Sequence, residues 1–179
     1  MDVAFEPLRV SNLPLMATWL ARPHVARWWR QSSDLASVEE DFGPLLDGSD
    51  PTEGFVVRLD GRPVGYAQRG LIEDDPEAQH AIGTALGDAG GVGIDYFIGE
   101  PDLVGRGIGR VMIARFVDEC FARYPSERRM VVDLQQDNVA SWRAVEAAGF
   151  RRAWAGDLES THPSDEGPSF IYLLDRGAS

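Results

Sequence analysis

One stretch constrains this chain more than any other, Val92 to Phe121. It opens with Val92-Gly93-Ile94-Asp95-Tyr96-Phe97-Ile98. That run is short, β-branched and aromatic, and turn residues flank it, so it predicts a buried strand. A turn follows at Gly99-Glu100-Pro101, then Val104-Gly105-Arg106-Gly107-Ile108-Gly109. Behind it Met112, Phe116 and Cys120 recur every four residues, with Ile113, Val117 and Phe121 in the adjacent row. This is the pattern of a helix with one apolar face, and Tyr124-Pro125 ends it. A glycine-rich turn opening a helix gathers unobstructed N–H groups at the positive end of the helix dipole, which suits phosphate. Arg106 adds a full charge. The alternative is an ordinary strand–helix turn whose glycines only make the bend. Asp95 is a carboxylate inside an apolar run, a costly placement without a partner or a task.

The rest of the chain supplies elements on either side. Ala4 to Val10 reads as a strand. Ser11-Asn12 can cap a helix from Leu13, with Pro14 in its first turn and Pro23 as its stop. Pro23 to Trp29 is short, basic and aromatic. Ser37-Val38-Glu39-Glu40 has the form of a capping box. Gly54 to Leu59 and Pro63 to Leu71 alternate as strands around the tight turn Asp60-Gly61. Glu73 to Gly91 is acidic with weak periodicity, and reads as a long flap holding at most a helical turn near Ala78 to Leu86. Arg129 to Leu134 is a strand. Asn138 caps a helix carrying Val139, Trp142 and Val145, which Gly149 ends. Phe150 to Trp154 and Ser169 to Leu174 close the chain as strands, separated by the acidic stretch Asp157 to Gly167. The expected class is α/β (α+β), one domain over residues 1–179 with a mixed sheet and flanking helices.

Charge and composition exclude several partners. Asp and Glu number 29 against 17 Lys and Arg, so the net charge is −12. Such a field repels nucleic acid and anionic membranes and attracts polycations, although solubility alone also favours acidity. No apolar run approaches a membrane span and the N-terminus has no signal-peptide pattern, so a cytoplasmic setting is expected. Cys120 is the single cysteine and sits on the apolar helix face, as a core residue would. His24, His80 and His162 are scattered without metal-ligand spacing, and no metal is expected.

The glycine loop resembles the pyrophosphate loop of the GNAT superfamily of N-acetyltransferases, Gln/Arg-x-x-Gly-x-Gly/Ala. Gly107 and Gly109 match, while Val104 stands where Gln or Arg is usual. Asn138 to Phe150 resembles the second motif of that superfamily, in which an Asn caps a helix beside CoA and Gly-Phe begins the next strand. A closer resemblance covers most of the chain. Trp28-Trp29, Gly65-Tyr66-Ala67-Gln68, Gly93-Ile94-Asp95, Asp133 five residues before Asn138, and Glu166-Gly167-Pro168 are similar to aminoglycoside 6′-N-acetyltransferases, the antibiotic-resistance type. Glu166 replaces the usual Asp.

The resemblance implies a GNAT fold of six to seven mostly antiparallel strands. It implies acetyl-CoA as cosubstrate, held by Val104, Gly105, Arg106, Gly107, Ile108, Gly109, Asn138 and the backbone near Phe97 and Ile98. It implies a cationic amino sugar on Trp28, Trp29, Tyr66, Gln68, Asp95, Asp133 and Glu166. Asp95 would collect the amine proton, and a backbone N–H near Phe97 or Ile98 would polarise the thioester carbonyl. A monomer or homodimer is expected. Bland roles stand beside these. At least one of the adjacent tryptophans should be core, because helix neighbours do not share a face. Tyr66 and Gln68 point the same way from a strand and could satisfy each other. Asp133 could only cap a turn. The rivals are an acetyltransferase of the same fold acting on a lysine-like siderophore precursor or a protein N-terminus, and a CoA-binding module without catalysis. Counting seven residues from Asn138, where many GNAT enzymes place an acidic Tyr, lands on Val145, which has no proton to give.

Overall fold

In the computed structural model, residues 1–177 are described. Seven strands form one sheet: β1 (Val3–Pro7), β2 (Glu53–Leu59), β3 (Arg62–Leu71), β4 (Val92–Ile98), β5 (Arg129–Gln135), β6 (Arg151–Asp157) and β7 (Pro168–Asp175). Their order across the sheet is β1-β2-β3-β4-β5-β7-β6. Every neighbouring pair is antiparallel except β4 and β5. That parallel pair joins only at Val92 with Met130 and Gly93 with Val131, and then the strands part. The sheet therefore forks beyond Gly93, leaving the β5-facing edge of Ile94 to Ile98 without a strand partner.

Six α-helices cover the two faces: α1 (Leu13–Leu20), α2 (Pro23–Trp29), α3 (Leu35–Asp47), α4 (Pro76–Leu86), α5 (Ile108–Arg123) and α6 (Val139–Ala147). On one face, α5 buries Met112, Ile113, Phe116, Val117 and Cys120, and α6 buries Val145, against Ile94, Met130 and Tyr172. The helix face expected from the four-residue spacing is the one buried. On the other face, Trp19 and Met16 of α1, Val25 of α2 and Val38 of α3 pack with Tyr66 and Phe97. Alternation along β4 sends Phe97 to that second core and Tyr96 to the first.

Several local expectations are corrected. Pro23 does not merely stop a helix; it opens α2 at a position where its missing N–H costs nothing. The third helix starts earlier than Ser37, because Asp34 caps it by accepting from the Ser37 N–H. The acidic flap contains a full helix, α4, with Asp75 accepting from the N–H groups of Glu77 and Ala78. Gly65 is required by close approach, since a Cβ there would strike the Phe97 carbonyl oxygen.

Candidate active site

The fork opens into a cleft of about 390 Å³. Its walls come from α2, α3, α4, the end of β5, the start of α6 and the loop before β7. Asp95 on β4 and Asp133 on β5 each lie three residues beyond the paired Val92 and Met130, so they stand level across the fork. Asp165, on the 3₁₀ turn Pro163–Asp165, completes a group of three carboxylates, and Asp41, Asp50, Asp75 and Glu77 add charge to the walls. Among the described residues no three His, Cys, Asp or Glu side chains converge as a metal site would need.

The carboxylates do not titrate as free ones. Water reaches Asp95 in the open cleft, but protein surrounds it on the other sides. That enclosure raises its pKa, and Asp165 adds to the rise, while a hydrogen bond from Gln68 opposes it. Asp133 is pushed up to about 8, by its enclosure first and then by Asp165 and Asp95. Like charges brought together at low dielectric cannot all ionise without a counterion. A cationic occupant would supply one.

Asp95 is also held in place. Tyr66 Oη donates to Gln68 Oε1 at 2.9 Å, and Gln68 Nε2 donates to Asp95 Oδ2 at 2.9 Å. The antiparallel register sets this chain by pairing Gln68 with Asp95 and Tyr66 with Phe97. Tyr66 is 0% exposed, so it cannot touch an acceptor directly. Its expected place among ligand contacts is replaced by a positioning one, and burial raises its pKa far above the ordinary phenol. Trp28 and Trp29 both line the cleft. Arg27 stacks over Trp28, while Trp29 packs edge-on against Tyr66 and Phe97.

Glu166 is not brought into the cleft. Its side chain is 82% exposed and pairs with Arg30 Nη1 at 3.3 Å. Its neighbour Asp165 faces inward instead, held by the hydroxyls of Ser160 and Ser164. The β4–α5 turn offers a second kind of site. Gly105 and Gly107 both have φ of +76°, and nothing lies within 4 Å of where a Cβ would be. Among the described residues the N–H groups of Gly105, Gly107, Ile108 and Gly109 donate to no backbone or side-chain acceptor. Val104 is 43% exposed and Arg106 is exposed, so the loop lies open to a ligand. Gly109 packs toward Ala144 of α6 and Ile98. These residues fit a pyrophosphate. Phe97 can take part only through its backbone, because its ring is buried among Trp19, Trp29 and Tyr66. The Ile98 carbonyl already bonds His24 Nε2 at 2.9 Å. Asn138 lines the cleft and caps α6 by accepting from the Ser141 N–H. Val145 is 0% exposed and is not among the residues that line the cleft.

Sequence reasoning missed Asp165, Asp75, Asp41 and Asp50. Asp165, Asp75 and Asp50 sit on turns, a cap and a loop, where no periodicity says which way a side chain turns, and Asp41 lies on the polar side of α3, which a sequence pattern assigns to solvent. It also gave Ser141 no role, although Ser141 and Tyr96 both line the cleft and their hydroxyls lie 2.8 Å apart.

Known proteins share this fold. The family described as acetyltransferase (GNAT) domain matches residues 9–158. An aminoglycoside N(6′)-acetyltransferase type 1 of Klebsiella pneumoniae is 26% identical over 97% of this chain and 82% of its own length. The lysine N-acyltransferase MbtK of Mycobacterium tuberculosis is 28% identical over 87% of this chain and 72% of its own. A crystal structure of aminoglycoside acetyltransferase AAC(6′)-Ib with coenzyme A and kanamycin superposes with a TM-score of 0.80, at 22% identity, over 99% of this chain and 96% of that one. A forked sheet, an open glycine turn at the head of α5 and a family match over most of the length agree, and the chain belongs to the GNAT acetyltransferases.

Proposed function

We propose that the protein transfers an acetyl group from acetyl-CoA to a primary amine of a polycationic amino sugar. The observation that carries this reading is the carboxylate-lined cleft centred on the fork, with Asp95 and Asp133 level across it. Relatives that acetylate aminoglycosides support it, as does the open glycine turn. When bound, acetyl-CoA supplies the activated acyl group as a thioester. The N–H groups from Gly105 to Gly109 and the Arg106 charge would hold its pyrophosphate. The unpaired edge of β4 offers backbone groups to its amide arm and to the carbonyl being attacked.

The remaining work falls to acidic residues. Asp133 and Asp165 hold ammonium groups of the acceptor and so fix which amine reaches the fork. Trp28 and Trp29 wall the cleft beside it. The reacting amine must be neutral to attack. Asp95, steadied by Gln68, receives its proton directly or through water, and its raised pKa suits a base in this role. A second reading is favoured by the relative that acylates lysine. In that case the amino acid's own carboxylate would meet the acidic walls, which the amino-sugar reading avoids. Turnover with acetyl-CoA and a panel of aminoglycosides, polyamines, lysine and a peptide N-terminus tests both. Saturable acetylation of aminoglycosides is the expected result. Turnover of lysine alone would establish the second reading, and no turnover of any amine would overturn both.

A further inference from the structure

The sheet divides the site into a donor side and an acceptor side. The glycine turn leads into α5, and α5 and α6 cover the face where Met112, Phe116 and Val145 are buried. Tyr96 leaves β4 toward that face, while Asp95 leaves it on the face of Tyr66, Gln68 and the tryptophans. The fork is the passage between them, and both Tyr96 and Asp95 line the same cleft. A thioester reaching through the fork from the glycine turn would meet Asp95 on one side of β4 and Tyr96 on the other. There the Tyr96 hydroxyl lies 2.8 Å from Ser141 Oγ, in the first turn of α6 and one turn before the buried Val145.

Building on the acetyl-transfer reading, we infer that Tyr96, oriented by Ser141, is a catalytic residue that donates a hydrogen bond to the departing sulfur. The other three tyrosines are committed elsewhere. Tyr66 is buried and bonds Gln68, Tyr172 donates to Glu146 at 2.8 Å, and Tyr124 lies at the far end of α5 beside Arg69 and Arg123. In the step itself a C–N bond forms and the C–S bond breaks, its electron pair going to sulfur. Burial raises the Tyr96 phenol, so it keeps its proton and stabilises the growing thiolate as a donor. The proton that finally neutralises sulfur is the one the acceptor nitrogen releases on becoming an amide, through Asp95 or solvent.

Tyr96→Phe keeps the ring and removes the donor. It should lower kcat about 100-fold with acetyl-CoA, the loss typical of one removed oxyanion donor. With an acetyl-CoA analogue carrying selenium in place of sulfur, a weaker base on departure, the deficit should shrink by roughly 10-fold. A merely structural defect would lower both rates equally. Calorimetry supplies a readout without turnover, comparing CoA with desulfo-CoA near pH 9, where a free thiol of pKa about 8.5 is ionised. The wild type should prefer CoA several-fold and Tyr96→Phe should lose that preference, with Ser141→Ala intermediate. Equal deficits with both donors, together with an unchanged CoA preference, would overturn the inference. Wild-type protein that binds neither CoA nor desulfo-CoA would instead overturn the acetyl-transfer reading on which it rests.

Discussion

Asp133 shows how enclosing a carboxylate weighs on the fold. Its pKa is pushed up to about 8 by enclosure and by Asp165 and Asp95, against about 3.9 for a free Asp. A raised folded-state pKa means the native chain binds a proton that the unfolded chain has already released. The stability tied to Asp133 is therefore fully present below about pH 4 and is lost as pH rises through 8. Asp133→Asn should remove that loss. We expect its melting temperature to exceed the wild type's increasingly from about pH 4 to 8 and by a constant margin above that, while its KM for a cationic acceptor rises. A melting curve without pH-dependent gain would refute the raised pKa. Asp133, two residues before the end of β5, was singled out in the sequence only through the resemblance to aminoglycoside 6′-N-acetyltransferases, five residues before Asn138. Asp165 was not. In the turn before β7, acidic neighbours follow one another, and only packing decides that Asp165 turns inward and Glu166 outward to Arg30. Tyr66 was half legible: its shared direction with Gln68 follows from strand period, but its complete burial depends on α1 to α3 closing over it.

Among the elements, α4 and the α5 turn carry opposite lessons. The bend before α5 was readable because glycine spacing reports backbone shape directly, while its phosphate role rested on the GNAT resemblance. Gly107 sits at φ +76°, where any side chain is strained, and the space around it is open for a ligand. Gly107→Val should therefore fold but lose most of the thermal shift that CoA gives the wild type, and an undiminished shift would refute the phosphate role. Helix α4 was obscured by its composition, with Gly83 and several alanines in eleven residues, although Asp75-Pro76 and Gly87 mark its ends. Its position is set by contacts no local pattern reveals. Glu77 accepts from the Thr161 backbone and hydroxyl and from Ser160, and His80 meets Glu159 at 3.0 Å. These bonds tie α4 to the β6–β7 loop that carries Asp165. Glu77→Ala should speed hydrogen exchange in Pro76–Leu86 and raise the acceptor KM several-fold with little change in CoA affinity. Equal exchange in both proteins would show that the tie is idle.

For the whole molecule, the charge of −12 predicts that association with a cation depends on salt. Screening acts over about 10 Å at 0.1 M, so raising salt from 0.05 to 0.5 M should increase the KM for an aminoglycoside, and a flat response would argue against a charge-lined cleft. The forked sheet has a mechanical meaning as well. Strand bonding joins β1–β4 to β5–β7 at two residue pairs only, so the molecule resembles two stiff plates sharing a short seam. On the proposed reading, a donor laid along the open length of that seam would act as a rivet. At 100 times its Kd it would add about 2.7 kcal/mol to stability. The gain should concentrate in slowed exchange at residues 94–98 and 132–135, so that the protein is stiffest while it holds the acetyl group and loosest after CoA departs.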